Sequence, residues 1–133
     1  MSDLKNYRIG ATGGYTYTKE FWDAAESKQL TIDVATTDRQ NFQKLLSGRI
    51  DIFPSGLVSG HSVLQKEFDK SASNLISFNS KPLSETTGHL LFPKTGKKSE
   101  NLLQVFNQGL AKIKKKGIYN KFTDDLLAGK YSQ

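Results

Sequence analysis

Apolar positions in the first 80 residues change period repeatedly, between the alternation typical of strands and the spacing of three to four typical of helices. The alternating runs predict four strands, at 7–11, 30–35, 50–54 and 75–78. The helical stripes between them predict helices at 16–28, 38–47 and 57–68. This order of elements favours an α/β fold with a mainly parallel sheet and helices on both faces.

The second predicted helix has the clearest end signals. Thr37 is a suitable N-cap, and Gln40 three residues later completes a capping box. Gly48 follows the last apolar position and predicts the end of the helix.

The pattern changes after residue 84. A strand is predicted at 89–92, followed by a helix that Ser99 caps and a final helix at 118–128. The first of these two C-terminal helices carries an apolar stripe at helical spacing, formed by Leu103, Phe106, Leu110 and Ile113. If this stripe were exposed, it would be a site of association, and we expect pairing with a second copy of the chain or packing on the sheet.

Paired glycines connect the first predicted strand to the first predicted helix. Gly13 and Gly14 permit a tight turn, and the free amides at a helix N-terminus attract anions. The hydroxyls of Tyr15 and Thr16 add donors at the same place. Two readings remain open here: an anion-binding corner, or a strand-to-helix turn that binds nothing.

Other side chains give weaker signals. Tyr15, Tyr17 and Trp22 are candidates for an aromatic wall beside a ligand, although Trp22 is more typical of a core residue. The two histidines, His61 and His89, have no acidic or cysteine partner at metal-ligand spacing. No nucleophile elbow and no carboxylate pair is evident, so the sequence predicts neither an enzyme nor a metal or cofactor site.

Charge is distributed unevenly along the 133 residues, whose net charge is +6. Residues 1–93 hold ten basic and ten acidic side chains, whereas residues 94–133 hold nine lysines and three acidic residues. A basic module that binds polyanions would explain the lysines, but the absence of a recognition motif favours a solvated helix end without nucleic-acid binding. No apolar run approaches the roughly 20 residues of a membrane span. Because no signal-like apolar region is present, we expect a removed signal or a fragment.

Four landmarks of this chain resemble family-3 extracellular solute-binding proteins, the receptor subunits of bacterial importers for amino acids and similar solutes. The landmarks are Ile9-Gly10 leading to Gly14-Tyr15-Thr16, the segment 45–51, Lys81-Pro82-Leu83-Ser84, and Asn107 through Lys116-Gly117-Ile118-Tyr119 to Phe122. The resemblance implies a partial periplasmic-binding-protein-like fold of type II, with residues 4–82 as the second lobe. Residues 86–133 then correspond to the C-terminal part of the first lobe, whose N-terminal half has no counterpart here.

The resemblance also implies site residues. Gly14, Tyr15 and Thr16 occupy the positions at which the second lobe offers amides and a hydroxyl to a ligand carboxylate. Ser55 stands where amino acid receptors usually carry an acid for the ligand's ammonium, so a standard amino acid is a less favoured ligand. Asp51 is expected to have a structural role, pairing with Arg49.

By the same resemblance, the chain binds a small polar or anionic solute, works with a membrane permease and resides in the periplasm. Because one lobe cannot close over a ligand, we expect weak binding or none by this chain. Two alternatives stay open: a ligand-sensing domain of a signalling protein or regulator, and a basic interaction module.

Overall fold

A computed structural model describes residues 2–85 and 87–131. The chain divides into two compact units, one up to Ser84 and one from Glu85 to Tyr131. The second of the two segments expected from the sequence, 86–133, begins and ends at positions outside the described residues, namely 86, 132 and 133.

The first unit is an α/β unit with a small parallel sheet. Its elements in chain order are a 3₁₀ turn (Ser2–Leu4), β1 (Arg8–Thr12), α1 (Lys19–Glu26), β2 (Thr31–Ala35), α2 (Asp38–Leu46), α3 (Leu57–Glu67) and α4 (Lys70–Ser73). The predicted N-cap and stop of α2 are confirmed, whereas the predicted capping box is not, because the Gln40 side chain accepts from the Thr36 amide at 3.1 Å and not from the Thr37 amide. Thr37 accepts a hydrogen bond from the Gln40 amide at 3.3 Å, and Gly48 has a φ of +68°.

The sheet consists of β1 and β2, which pair in parallel from Arg8 opposite Thr31 to Thr12 opposite Ala35. The predicted third strand is reduced to one parallel bridge between Ile9 and Ile52, in which the Gly10 amide donates to the Ile52 carbonyl at 2.8 Å. Pro54 has no amide hydrogen to continue the ladder. The segment around Ile52 still lies beside β1, on the side opposite β2.

The predicted strands at 75–78 and 89–92 are wrong, because both segments have irregular backbone. Leu75 is 79% exposed and Leu91 is 91% exposed. An alternating apolar pattern indicates that a segment suits a sheet, but a strand forms only where a neighbouring edge offers hydrogen bonds.

The two faces of the sheet carry different helices. Ile9 and Ala11 of β1 are fully buried in a cluster with Phe21 and Ala24 of α1. On the other face α2 comes very close to β1. A methyl group at Gly10 would lie 2.5 Å from Ile50 Cδ1 and 2.8 Å from Asn41 Oδ1. Glycine at position 10 is therefore required for this packing.

The second unit contains two successive helices, α5 (Lys97–Lys115) and α6 (Ile118–Leu127), joined by Lys116 and Gly117. The predicted stop at Gly117 is confirmed, with a φ of +70°. The predicted cap at Ser99 is wrong, because α5 begins two residues earlier with Gly96 as its N-cap. Gly96 has a φ of +109°, a conformation open to glycine, and its carbonyl accepts from the Ser99 amide at 3.0 Å.

The apolar stripe of α5 is only partly covered. Leu110 and Ile113 are half-buried, whereas Leu103 and Phe106 are exposed. None of the helices within the described residues is both long and apolar enough to span a bilayer.

Candidate functional site

The glycine corner predicted from the sequence lies directly after β1. The Gly13 amide donates to the Ala35 carbonyl at 2.8 Å, and the Tyr15 amide donates to the Thr12 carbonyl at 3.3 Å. Gly14, with a φ of +80°, is the residue that takes the left-handed conformation. The corner is thus fixed to the carboxyl ends of both strands of the sheet.

The corner does not lead directly into a helix, which corrects the sequence-based prediction. α1 begins at Lys19, and its N-cap is Thr18, whose hydroxyl accepts from the Phe21 amide at 3.2 Å. A threonine hydroxyl is a good N-cap, and this one satisfies amides that would otherwise face solvent. Gly14, Tyr15 and Thr16 therefore form an exposed loop ahead of the helix.

This loop is open to solvent rather than filled by side chains. Within the described residues, no atom beyond the two neighbours of Gly14 lies within 4 Å of the point where its Cβ would stand. Tyr15 is exposed, and so is Thr16. Among residues 2–85 and 87–131, no acceptor receives a hydrogen bond from the amides of Gly14 or Thr16. The corner thus offers two free backbone donors at the carboxyl edge of a parallel sheet.

Tyr17 connects the loop to the end of β1 and to the hydrophobic core. Its hydroxyl accepts a hydrogen bond from the Thr12 amide at 2.9 Å, and its ring stacks on Phe21 with centroids 5.0 Å apart. The Trp22 ring packs edge-on against the Tyr17 ring, with centroids 5.6 Å apart. Tyr17 and Trp22 therefore belong to the aromatic packing of the core and do not form a wall beside a ligand. The sequence carries no signal for the bond from Tyr17 to Thr12.

Ser55 lies at the same edge of the sheet as the corner. Thr12 and Ser55 are each three residues beyond the paired residues Ile9 and Ile52. The Ser55 side chain is exposed, and its Oγ would contact a Cβ at Gly60 at 3.2 Å, so it faces the first turns of α3. α3 has Gly56 as its N-cap, and in the described part of the chain no side chain caps its first amides.

A buried polar chain lies beneath the corner, and sequence reasoning missed it. The Thr12 hydroxyl donates to Asp38 Oδ1 at 2.6 Å and accepts from Asn41 Nδ2 at 3.0 Å. Thr12 and Asn41 are essentially inaccessible, and Asp38 is 7% exposed. Asn41 Oδ1 finds no hydrogen-bond partner within the described part of the chain. The sequence did not indicate that Asp38 and Asn41 are buried, because polar residues on a helix are usually exposed. They are buried because Gly10 has no side chain, which lets α2 approach the sheet closely.

Asp51 is paired, but with a different arginine from the one expected. Its carboxylate accepts from Arg8 Nη2 at 2.6 Å, from Arg8 Nε at 3.0 Å and from the Arg8 amide at 2.8 Å. Arg49 instead lies 3.7 Å from Asp33. The bridge between Ile9 and Ile52 places Arg8 opposite Asp51, a register that local sequence does not reveal. The hydrogen bonds from Arg8 lower the pKa of Asp51 to about 2.

The surface also has an open depression of about 690 Å³ along α2 and the outer edge of β2. Its lining residues are Val34, Ala35, Thr36, Gln40, Gln43, Lys44, Ser47 and Arg49. It adjoins the corner through Val34 and Ala35, which both lie beside Gly13. None of Gly14, Tyr15, Thr16 or Ser55 lines it.

Among the described residues, no group of three or more His, Asp or Glu side chains is placed to hold a metal ion. His61 packs against the ring of Phe78 at 6.0 Å, and His89 Nε2 lies 2.8 Å from the Thr87 hydroxyl.

No model of a known protein family matches this chain, and comparisons with curated proteins and with solved structures found no significant similarity.

Proposed function

We propose that this chain is a solute-binding domain of periplasmic-binding-protein-like type II architecture, from the receptor of an importer for a small carboxylate-bearing solute. The observation that carries the proposal is the open corner at Gly14, Tyr15 and Thr16. Two free amides and a threonine hydroxyl there can donate to one carboxylate.

The position of the corner in the sheet supports this function. From β1 the chain passes through α1 to β2 on one side, and then through α2 to the segment around Ile52 on the other side of β1. The direction of winding therefore reverses at β1. In open α/β sheets, ligands bind outside the carboxyl ends of the strands at such a reversal. Gly14 follows β1 and Ser55 follows the neighbouring segment, so both lie at the carboxyl edge of the sheet, next to this reversal.

Binding by this chain is weak in the proposed mechanism. The corner supplies hydrogen bonds to one side of the solute, while the other side remains in water. In two-lobed receptors, closure of the first lobe over this second-lobe corner supplies the remaining contacts and creates the form that a permease recognises. A dissociation constant in the millimolar range is consistent with a few hydrogen bonds that compete with water.

Amide NMR titration with acetate and succinate tests the proposal at the residues concerned. We expect saturable shifts of the Gly14, Tyr15 and Thr16 amides, while the Gly48 amide, which donates to the Leu45 carbonyl at 3.1 Å, stays unchanged. Micromolar affinity would contradict the single-sided mechanism. Uniform or absent shifts at the corner would refute the function itself.

Two matched substitutions test whether the Thr16 hydroxyl contributes to carboxylate binding, rather than any exposed threonine hydroxyl. Thr16→Val removes the hydroxyl from the corner, whereas Thr31→Val removes one from an exposed position at the opposite end of the sheet. We expect Thr16→Val to weaken carboxylate binding about threefold to tenfold, the net worth of one hydrogen bond that competes with water, and Thr31→Val to leave binding unchanged.

A further inference from the structure

We propose that α5 binds the surface of an anionic phospholipid bilayer and lies parallel to it, with its apolar side turned toward the lipid. The surface that binds, called the α5 face below, consists of exposed apolar side chains and the lysines at their borders: Leu102, Leu103, Val105, Phe106, Lys112 and Lys114. It belongs to the second unit alone and contains no residue of the Gly14 corner. Lipid binding and solute binding can therefore be tested separately.

The apolar side chains of the α5 face remain open to solvent. Leu102 is followed by Val105 and Phe106 at the spacing that places side chains on one side of a helix. Val105 is 59% exposed, and Leu102 is 46% exposed. Phe106 contacts the ring of Phe92, with centroids 6.5 Å apart, and is still exposed. An apolar helix face of this kind marks an interaction site.

Lysines border the apolar side chains on both sides. Lys112 follows Val105 by about two helical turns, and Lys116 follows it by about three, so these lysines lie close to one border of the α5 face. Lys114 follows Leu103 by about three turns and lies close to the other border. All three lysines are exposed. Lysine side chains in this position extend their apolar stems along a membrane surface and place their ammonium groups among the lipid phosphates.

The positive charge at the end of α5 is not neutralised by nearby acids. In the part of the chain that the structure describes, three lysines there form no ion pair, namely Lys112, Lys115 and Lys116. The carboxylate of Asp125 is already paired with Lys121 and Lys130. Glu100, the single acidic residue in the sequence of α5, lies in its first turn, at the other end of the helix. This charge therefore attracts an anionic partner.

Charge and apolar exposure together favour a bilayer over other partners. A nucleic acid would pair with the lysines but would leave Leu102 and Val105 in water. A second copy of the chain would cover the apolar side chains but would bring two sets of lysines together, so pairing requires a high protein concentration. An anionic bilayer satisfies both features, because its phosphates attract the lysines and its acyl region accepts the apolar side chains. Each lysine near such a surface strengthens binding roughly fivefold.

Co-sedimentation of the unmodified protein with lipid vesicles tests the proposal. One set of vesicles contains phosphatidylcholine alone, and the other contains equal parts of phosphatidylcholine and phosphatidylglycerol. We expect binding to the anionic vesicles to be about tenfold or more tighter than binding to the neutral ones, and to weaken as salt is added.

A pair of double substitutions tests the lysines of the α5 face. Lys112→Gln with Lys114→Gln should weaken binding to the anionic vesicles about twentyfold. The control is Lys66→Gln with Lys70→Gln, which changes the net charge equally at exposed positions in the last turns of α3 and α4. We expect the control to bind nearly as tightly as the unmodified protein.

A second pair tests the apolar side chains without a change in charge. Val105→Asn should weaken binding roughly tenfold, because a valine side chain no longer leaves water. Gln104→Asn, at an exposed position on the polar side of α5, should leave binding unchanged. Helical circular dichroism and the urea midpoint check that each variant is folded.

Three results would overturn the proposal. The first is absent or equal binding to the two kinds of vesicle, which needs no substitution and so decides the matter even if a variant fails to fold. The second is binding to duplex DNA at least as tight as binding to the anionic vesicles, which would identify a site for polyanions. The third is dimers in light scattering at the concentration of the vesicle assay together with no vesicle binding, which would identify a second copy as the partner of α5.

Discussion

Substituting Gly10 with alanine tests the packing that holds α2 against the sheet. The added methyl group would lie 2.5 Å from Ile50 Cδ1 and 2.8 Å from Asn41 Oδ1, well inside van der Waals contact. Ile50 is 1% exposed and Asn41 is bonded to Thr12, so neither side chain can move into solvent without cost. Overpacking of this kind costs about 1–3 kcal/mol. Replacing glycine also restricts the unfolded chain, which returns about 0.4–1 kcal/mol. A net loss of about 1–2 kcal/mol follows.

A second substitution identifies the source of that loss. Ile50→Val removes the Cδ1 methyl group that produces the shortest contact, and alone it should cost about 0.5–1.5 kcal/mol. In the Gly10→Ala background we expect it to cost little or to restore stability, which corresponds to a coupling of about 1 kcal/mol.

Urea unfolding followed by the fluorescence of Trp22 measures these effects. Trp22 is the single tryptophan of the chain and packs against the core of the first unit, so the signal reports that unit. With a denaturant slope of about 1–2 kcal/mol per molar, Gly10→Ala should lower the midpoint by roughly 1 M. Gly13→Ala is the matched control, because a methyl group there would lie 3.6 Å from its nearest neighbour. Unchanged stability of Gly10→Ala, or costs of the two substitutions that simply add, would refute the reasoning.

Three further predictions concern other parts of the chain. Arg8 lowers the pKa of Asp51 to about 2 from its ordinary value of 3.8, so this pair stabilises the fold above pH 4 and loses its contribution as the pH falls from 4 to 2. Asp51→Asn should therefore make stability, followed by Trp22 fluorescence, depend less on pH between 4 and 2. An unchanged pH dependence would contradict the assignment. Thr18→Ala removes the N-cap of α1 and should cost about 1 kcal/mol in urea unfolding, with no loss expected if another residue caps the helix. Light scattering at high concentration should show dimers of the unmodified protein. Phe106→Asp should abolish these dimers, whereas Gln104→Asp, on the polar face of α5, should preserve them. A strict monomer at high concentration would exclude pairing through α5.

Elements with local end signals were predictable from the sequence. The cap at Thr37 and the stops at Gly48 and Gly117 depend on hydroxyl geometry and positive φ within a few residues, and all three are confirmed. Gly14 was correctly placed in a tight turn for the same reason.

Features that depend on distant partners were not predictable. The segment 75–78 has the composition of a strand but no neighbouring edge, and Asp51 pairs with Arg8 because of a register set by Ile9 and Ile52. The burial of Asp38 depends on how closely α2 approaches β1, which only the packing at Gly10 determines. The turn at Gly14 was predicted from the sequence, whereas the buried carboxylate of Asp38 beneath it was not.

The hydroxyl of Tyr17 holds the Thr12 amide while its ring is part of the aromatic core. A change in the shape of the loop between these residues would break that bond and disturb the stack with Phe21. If the loop changed its shape to fit a different molecule, packing in the hydrophobic core would therefore be lost. We expect this surface to discriminate as a stiff template, tolerating variation only in the parts of a molecule that project away from it.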